Sequence, residues 1–217
     1  MSNAKNRMLL RAANEIQSGS LVNLGIGLPT RVIEFLPEDF SVCLHSENGM
    51  SAIGPTLEND KADRNLIDAG GAYVSPVKGT AFFDSAVSFA LVRGGRLDLT
   101  MLGAFEVSMR GDLANWKIPG LFTPGVGGGM ELAQKAKKVV VLTTHQDRKG
   151  RSKLVKKCRL PLTAQHCVDR IITDMAVIDI VSEGFHLREI AKELSVDEVI
   201  KATDAPLTIP THELPVF

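Results

Sequence analysis

The pentapeptide His45-Ser46-Glu47-Asn48-Gly49 falls where an apolar run, Ser41-Val42-Cys43-Leu44, gives way to an Asn-Gly turn. Glu47 has small polar neighbours and no run of charge around it, the setting of a reactive carboxylate rather than a solubilising one. Ligands of open α/β sheets bind beyond the carboxyl ends of the strands, where such a corner would stand. A glutamate with an ordinary pKa of about 4.3 is ionised at neutral pH.

Glycines supply the second candidate feature. Gly25/Gly27, Gly70/Gly71 and Gly125-Val126-Gly127-Gly128-Gly129 fall at expected strand ends or in loops. The last cluster precedes a helix predicted over 130–136. Backbone N–H groups at such a junction suit a phosphate, or the oxyanion of a carbonyl under attack, and glycine permits close approach. A tight connection accounts for the same glycines equally well. There is no G-x-x-x-x-G-K-[ST], and Gly25-Ile26-Gly27 lacks the third glycine of the dinucleotide fingerprint. Both a nucleotide triphosphatase and a nicotinamide enzyme are therefore disfavoured.

Other polar residues read as structural. His45, His145, His166, His186 and His212 lack metal-ligand spacing, so no metal site is expected. Ser46 beside His45 makes no triad, because adjacent strand residues point to opposite faces. Asp169, Asp174 and Asp179 read as caps or surface carboxylates, and Trp116 as a packing residue. Basic residues crowd the stretch from Arg148 to Arg159. A solvated loop is the favoured reading there, with a phosphate-bearing cofactor or an acidic partner surface as alternatives.

These residues need a scaffold, and the periodicity supplies one. An amphipathic helix is predicted over 5–18, with Leu9, Ala12, Ala13 and Ile16 on one face and Gly19 as its stop. Strands are predicted at 21–24, 41–44, 97–102, 139–142 and 176–181. The last two are apolar enough to be buried on both faces. Pro29 is positioned to start a helix. Asp84 is expected to cap a helix ended by Gly94-Gly95. Helices are also predicted at 186–193 and 196–201, and 54–80 reads as loop-rich. Strands alternating with helices give an α/β class: an open, mostly parallel sheet flanked by helices.

With 217 residues, 44% of them hydrophobic, the chain can bury one sizeable core. A single domain over 5–217 is expected, with 1–4 a tag remnant or a disordered N-terminus. Its 25 basic and 25 acidic residues balance, which argues against nucleic acid or an anionic membrane as a partner. No run approaches the ~20 apolar residues of a membrane span, and no signal peptide is recognised, so a cytoplasmic location is expected. Cys43, Cys158 and Cys167 lack C-x-x-C spacing, so neither a disulfide framework nor a zinc site is suggested.

Leu44-His45-Ser46-Glu47-Asn48-Gly49 resembles the S-E-N-G active-site motif of family I coenzyme A transferases, in the beta (B) subunit of the 3-oxoacid type. Similar blocks follow in the family's order: Asn23 to Thr30, Gly111 to Trp116 with Ile118-Pro119-Gly120, Gly127 to Leu132, Leu160 to Thr163, and Cys167 to Ile171. Met50-Ser51-Ala52, Gly129 and Glu131 depart from the usual pattern, none of them at a reacting group. The resemblance implies ping-pong transfer of coenzyme A between carboxylic acids, through an acyl-glutamyl anhydride and a glutamyl-CoA thioester on Glu47. It implies that Gly128 donates its backbone N–H to an oxyanion. Gly127 and Gly129 would shape that loop, Gly25 and Gly27 would belong to the opening loop of the site, and Asn48 and Gly49 would fix the turn or contact coenzyme A. No cofactor is expected to be tightly bound, coenzyme A being a co-substrate attached transiently to Glu47. The G-G-F-type segment of the family's alpha (A) subunit is not found here. The implied partner is therefore a CoA-transferase alpha subunit, in a heterodimer or heterotetramer acting on acyl-CoA and carboxylic acid substrates. The acyl groups stay open: acetoacetate, another 3-oxoacid, or a short-chain acid. Two rivals are a non-catalytic acyl-CoA-binding or regulatory subunit of the same fold, and a sugar-phosphate isomerase of related architecture.

Overall fold

The computed structural model describes residues 3–58, 60–121, 123 and 125–217. In chain order the elements are α1 (Asn3–Ala13), β1 (Leu21–Leu24), a 3-10 helix (Pro29–Phe35), β2 (Cys43–Ser46), β3 (Met50–Thr56), β4 (Val74–Phe82), α2 (Ser85–Arg93), β5 (Leu99–Leu102), β6 (Glu106–Ser108) and β7 (Leu113–Ala114). There follow α3 (Gly129–Lys135), β8 (Val139–Leu142), β9 (Leu154–Val155), β10 (Arg170–Ile172), β11 (Ala176–Val181), β12 (Gly184–Ile190), α4 (Val196–Ala202) and β13 (Leu207–Thr208).

Ten strands form one sheet in the order β13-β12-β11-β10-β8-β5-β1-β2-β3-β4, and β7-β6-β9 form a smaller one. From β10 to β2 the neighbours run parallel; β3, β4 and β11 pair antiparallel on the flanks. A parallel centre must be covered on both faces, and β5 and β8 are buried at every residue. Their side chains alternate. Val22, Leu99, Met101, Val140 and Leu142 join Met8, Leu9, Ala12 and Ile16 of the α1 segment, with Val32 of the 3-10 helix. Leu102, Val139, Val141 and Ile171 point the other way, against Val107, Leu113, Leu154 and Val199. Among the described residues no helix is long and apolar enough to cross a membrane.

Several expectations need correction. The first helix spans Asn3–Ala13 rather than 5–18. Glu15 and Ile16 donate to Ala12 and Ala13 in tighter turns, and Gly19 turns the chain with φ +79. Asn3 and Ala4 belong to that helix, so only Met1 and Ser2 of the expected tag remnant lie outside the described residues. The helix opened by Pro29 is 3-10 rather than α. The expected strand at 41–44 lies at Cys43–Ser46, which brings Ser46 into the sheet and leaves Glu47 just past its end.

The segment expected to be loop-rich instead contributes the β3–β4 pair at the sheet margin. Pro55, Pro76, Gly54 and Gly79 read as turn signals, but a strand at a sheet edge tolerates missing donors, and the pairing there shifts register. The helix predicted at 186–193 is β12. Phe185 and Leu187, two apart, are buried in the core, and β11 and β13 pair on either side. β11 was expected to be buried on both faces. Only its first half is fully buried, and both its neighbours are antiparallel. The capping signal behaves as expected: Asp84 accepts the Val87 N–H. The helix predicted at 196–201 is α4, and the structure adds that Ser195 with Glu198 completes a capping box for it.

Candidate active site

Because β2, β1, β5 and β8 are parallel, Ser46, Leu24, Leu102 and Leu142 end at the same edge of the sheet. A cavity of about 600 Å³ opens over that edge, and Glu47 stands in its wall. Gly25, Gly127 and Gly129 line it as well, whereas Gly27, Asn48 and Gly49 are not part of its lining.

Glu47 is half-buried. Its Oε1 accepts the backbone N–H of Gly128 at 3.2 Å. Burial pushes the Glu47 carboxyl above the usual glutamate range, and the Gly128 N–H partly opposes that. Gly128 is the residue on which α3 begins, at φ −80. A Cβ there would lie 2.9 Å from the carboxyl carbon of Glu47 and 2.9 Å from Phe89 Cζ. The Gly127 to Gly129 segment therefore brings backbone against a carboxylate at a distance that a side chain would forbid.

The turn that carries Glu47 is fixed from several sides. Ser46 Oγ accepts the Ala69 N–H, and Asn48 Nδ2 donates to the Ile67 carbonyl at 2.7 Å. Gly49 (φ +126) donates to Ser46, and its carbonyl accepts from Phe83. Beneath the turn, Asn23 Nδ2 donates to the His45 carbonyl at 3.1 Å. His45 Nε2 lies 2.9 Å from Ser88 Oγ, and its ring stacks on Phe83. Burial lowers the His45 pKa, which favours the neutral ring. His45 is thus a buried support beneath the carboxylate. Asn48 and Gly49 shape the turn.

The far wall contains residues to which the sequence attached no site role. Asn115 Nδ2 donates to the Gly103 carbonyl, Thr163 Oγ1 donates to Asn115, and the Trp116 indole donates to Leu162. Trp116 packs, as expected, but on the cavity wall. Lys153 lines the cavity too, its Nζ donating to Thr143 Oγ1 and Thr144 Oγ1 at 2.9 Å each. The solvated-loop reading of 148–159 therefore fails for Lys153, and no local pattern marks it out. It does hold for Arg151, an exposed partner of Asp147, and for Arg159, which pairs with Glu106 and Asp204. A second cavity, about 860 Å³, runs along Arg110, Lys156, Lys157 and Arg159 with Asp112 and Asp204, a surface of mixed charge.

The remaining singled-out residues are structural. Asp169 and Asp174 accept the backbone N–H groups of Val139 and His145, and Asp179 pairs with Arg170 and Arg188. His145 bridges Thr173 and Thr203, and burial holds its pKa at about 4 against the opposing pull of Asp174. Burial also pushes the Cys158 and Cys167 thiols up to about 12, which leaves them unreactive at neutral pH.

Residues 6–202 match the sequence profile of the family described as Coenzyme A transferase. A probable coenzyme A transferase beta subunit of Bacillus subtilis (strain 168) is 51% identical over 199 residues, covering 92% of each chain. The B subunit of a probable succinyl-CoA:3-ketoacid coenzyme A transferase from the same organism is 46% identical, covering 96% of this chain and 97% of that protein. In fold, an acyl-CoA transferase apoenzyme from Escherichia coli O157:H7 superposes with a TM-score of 0.79 at 23% identity, over 99% of this chain and 43% of that one. The chain belongs to the coenzyme A transferase family, as a beta subunit.

Proposed function

We propose that Glu47 is the nucleophile of a ping-pong coenzyme A transfer between an acyl-CoA and a short-chain or 3-oxo carboxylic acid. The carboxylate oxygen of Glu47 attacks the thioester carbonyl, the CoA thiolate leaves, and an acyl-glutamyl anhydride forms. The thiolate then attacks the Glu47 carboxyl carbon, releases the first acid and leaves a glutamyl-CoA thioester. A second carboxylate runs the two steps in reverse and regenerates free Glu47.

The observation that carries this reading is the 3.2 Å contact between the Gly128 N–H and Glu47 Oε1. When the thiolate attacks the Glu47 carboxyl carbon, that oxygen gains the negative charge, and a fixed donor already faces it. The anhydride is prone to hydrolysis, so its formation draws on binding energy from the remote parts of coenzyme A and on exclusion of water. Both fit a cavity completed by a second polypeptide. An alpha subunit, in a heterodimer or heterotetramer, is the inferred partner. Support for it comes from the relatives named as beta or B subunits, and from the larger neighbour of which this chain matches 43%. Coenzyme A is a co-substrate in this scheme, with no resident cofactor required.

The test is to mix the co-expressed alpha–beta complex with acyl-CoA, trap with borohydride or hydroxylamine, and locate the adduct by peptide mass spectrometry. Modification at Glu47, absent in Glu47→Ala, is the expected result. Retained turnover in Glu47→Ala, or binding of acyl-CoA without exchange, would overturn the reading and favour a non-catalytic binding protein of the same fold.

A further inference from the structure

Helix α2 (Ser85–Arg93) is tied to both sides of the Glu47–Gly128 contact. Ser88 is fully buried, and its Oγ lies 2.9 Å from Nε2 of His45, two residues before Glu47. One turn further on, Val92 packs with Leu132 of α3, and Arg93 pairs with Glu131 of α3 at 2.7 Å. The helix is thereby fastened at once to the strand that leads into Glu47 and to the helix that follows Gly128.

Phe89 lies between these anchors. A Cβ at Gly128 would meet Phe89 Cζ and the Glu47 carboxyl carbon at 2.9 Å each. Ring tip and carboxyl therefore stand on the same side of Gly128, as close neighbours. Glu47 lines the cavity, whereas Phe89 and Gly128 are not part of that lining. The ring thus backs the carboxyl from outside the cavity, and the Arg93 guanidinium lies over its face at 5.7 Å from the centroid. A ring so placed limits how far the carboxyl can retreat from the Gly128 N–H, 3.2 Å from Oε1. It also takes the place of water there, in keeping with burial as the main cause of the raised Glu47 pKa.

We infer that Phe89 is a positioning residue of the transfer reaction, whose ring tip holds the Glu47 carboxyl against the Gly128 N–H and shuts out water from behind. The inference rests on the Glu47 mechanism proposed above. The competing reaction is hydrolysis of the glutamyl-CoA thioester. A water oxygen bonds to the Glu47 carboxyl carbon, and the C–S bond breaks. One water proton leaves on free coenzyme A, the other goes to solvent, and Glu47 returns as a carboxylate. The first acid has already departed, so the net result is acyl-CoA hydrolysis. A dry, preorganised site suppresses that side reaction.

The experiment uses the co-expressed alpha–beta complex with the fastest donor among succinyl-CoA, acetoacetyl-CoA and butyryl-CoA. Transfer is measured with acetate as acceptor, and hydrolysis as sustained thiol release without acceptor. Phe89→Leu keeps apolar bulk on α2 but lacks the Cζ tip. It should lower the ratio of transfer to hydrolysis by about 10-fold or more, with KM for the acyl-CoA changed far less than kcat. Phe89→Ala should shift the ratio further in the same direction; if it fails to fold, Phe89→Leu decides alone. A ratio unchanged in Phe89→Leu, with both rates falling together or not at all, would overturn the inference and leave Phe89 a packing residue. Trapping the adduct in the unaltered complex separates the two claims. An adduct on Glu47 with an unchanged ratio sinks only the role of Phe89, whereas no adduct on Glu47 sinks the mechanism.

Discussion

The backbone N–H of Gly128 lies 3.2 Å from Glu47 Oε1, although 81 residues separate the two in the chain. Gly128→Ala should therefore act on the site and not on the fold. Its φ of −80 suits alanine, but the added methyl would press on the Glu47 carboxyl carbon and on Phe89 at 2.9 Å. Transferase kcat should fall by ~10²-fold or more, since small misplacements of a reacting group cost that much. Thermal unfolding run in parallel should show a melting temperature close to that of the unaltered protein.

Gly49→Ala should do the opposite, damaging the fold first. Gly49 sits at φ +126, and a Cβ would fall inside the Phe83 carbonyl oxygen. Backbone strain and that clash together should cost about 3 kcal/mol or more, read as a lower denaturant midpoint or as insoluble protein.

The raised pKa of Glu47 has consequences of opposite sign for activity and for stability. In the mechanism proposed above the carboxylate is the reacting form, so kcat/KM should fall as pH drops through a value above the ordinary glutamate pKa. For folding, a carboxyl whose pKa rises on burial favours the folded state below its unfolded pKa and loses that advantage as pH rises through the folded value. Glu47→Gln, a neutral side chain of the same shape, should thus abolish transfer yet raise the melting temperature at pH 7. The gain should vanish below about pH 4. A variant no more stable than its parent at pH 7 would show that burial of this charge costs nothing.

Glu15 offers the reverse case, remote from the cavity. Its side chain is 4% exposed and pairs with Arg11, Lys138 and Arg170. Burial alone would raise its pKa, but the hydrogen bonds from Lys138, Arg170 and Arg11 outweigh that and bring it to about 2. Its stabilisation is present above pH 4.5 and lost as pH falls towards 2. Glu15→Ala should destabilise by about 3 kcal/mol at neutral pH, the amount that a carboxyl pKa lowered to about 2 represents, with Arg11 and Arg170 keeping Glu189 and Asp179 as partners. Denaturation curves at neutral pH and near the lowered pKa of about 2 should show the two proteins converging at the acid end.

Local chemistry was legible residue by residue. Ser46-Glu47-Asn48-Gly49 states a turn with a carboxylate on it, Asp84 states a helix cap, and Val139-Val140-Val141-Leu142 states a buried strand, because each depends on neighbours within a few positions. β12 and the β3–β4 pair were not legible. Their hydrogen-bonding partners lie in other strands, and the Gly and Pro residues of β3 and β4 carry turn signals that pairing at the sheet edge overrides. The placement of Lys153 was equally hidden. In sequence it is one basic residue among several, and only the hydroxyls of Thr143 and Thr144, presented past the end of β8, turn it into the cavity.

The amino-acid sequence by itself determined where a carboxylate stands on an Asn-Gly turn, where glycines cluster, and which family the chain resembles, since these depend on residue type and order. The tertiary structure alone decided that Gly128 meets Glu47, that His45 and Asn23 support it from below, and that a lone ammonium shares its cavity. Parallel pairing of β2, β1, β5 and β8 is the physical reason. It gathers the ends of strands distant in the chain onto one edge, and no local pattern encodes that register.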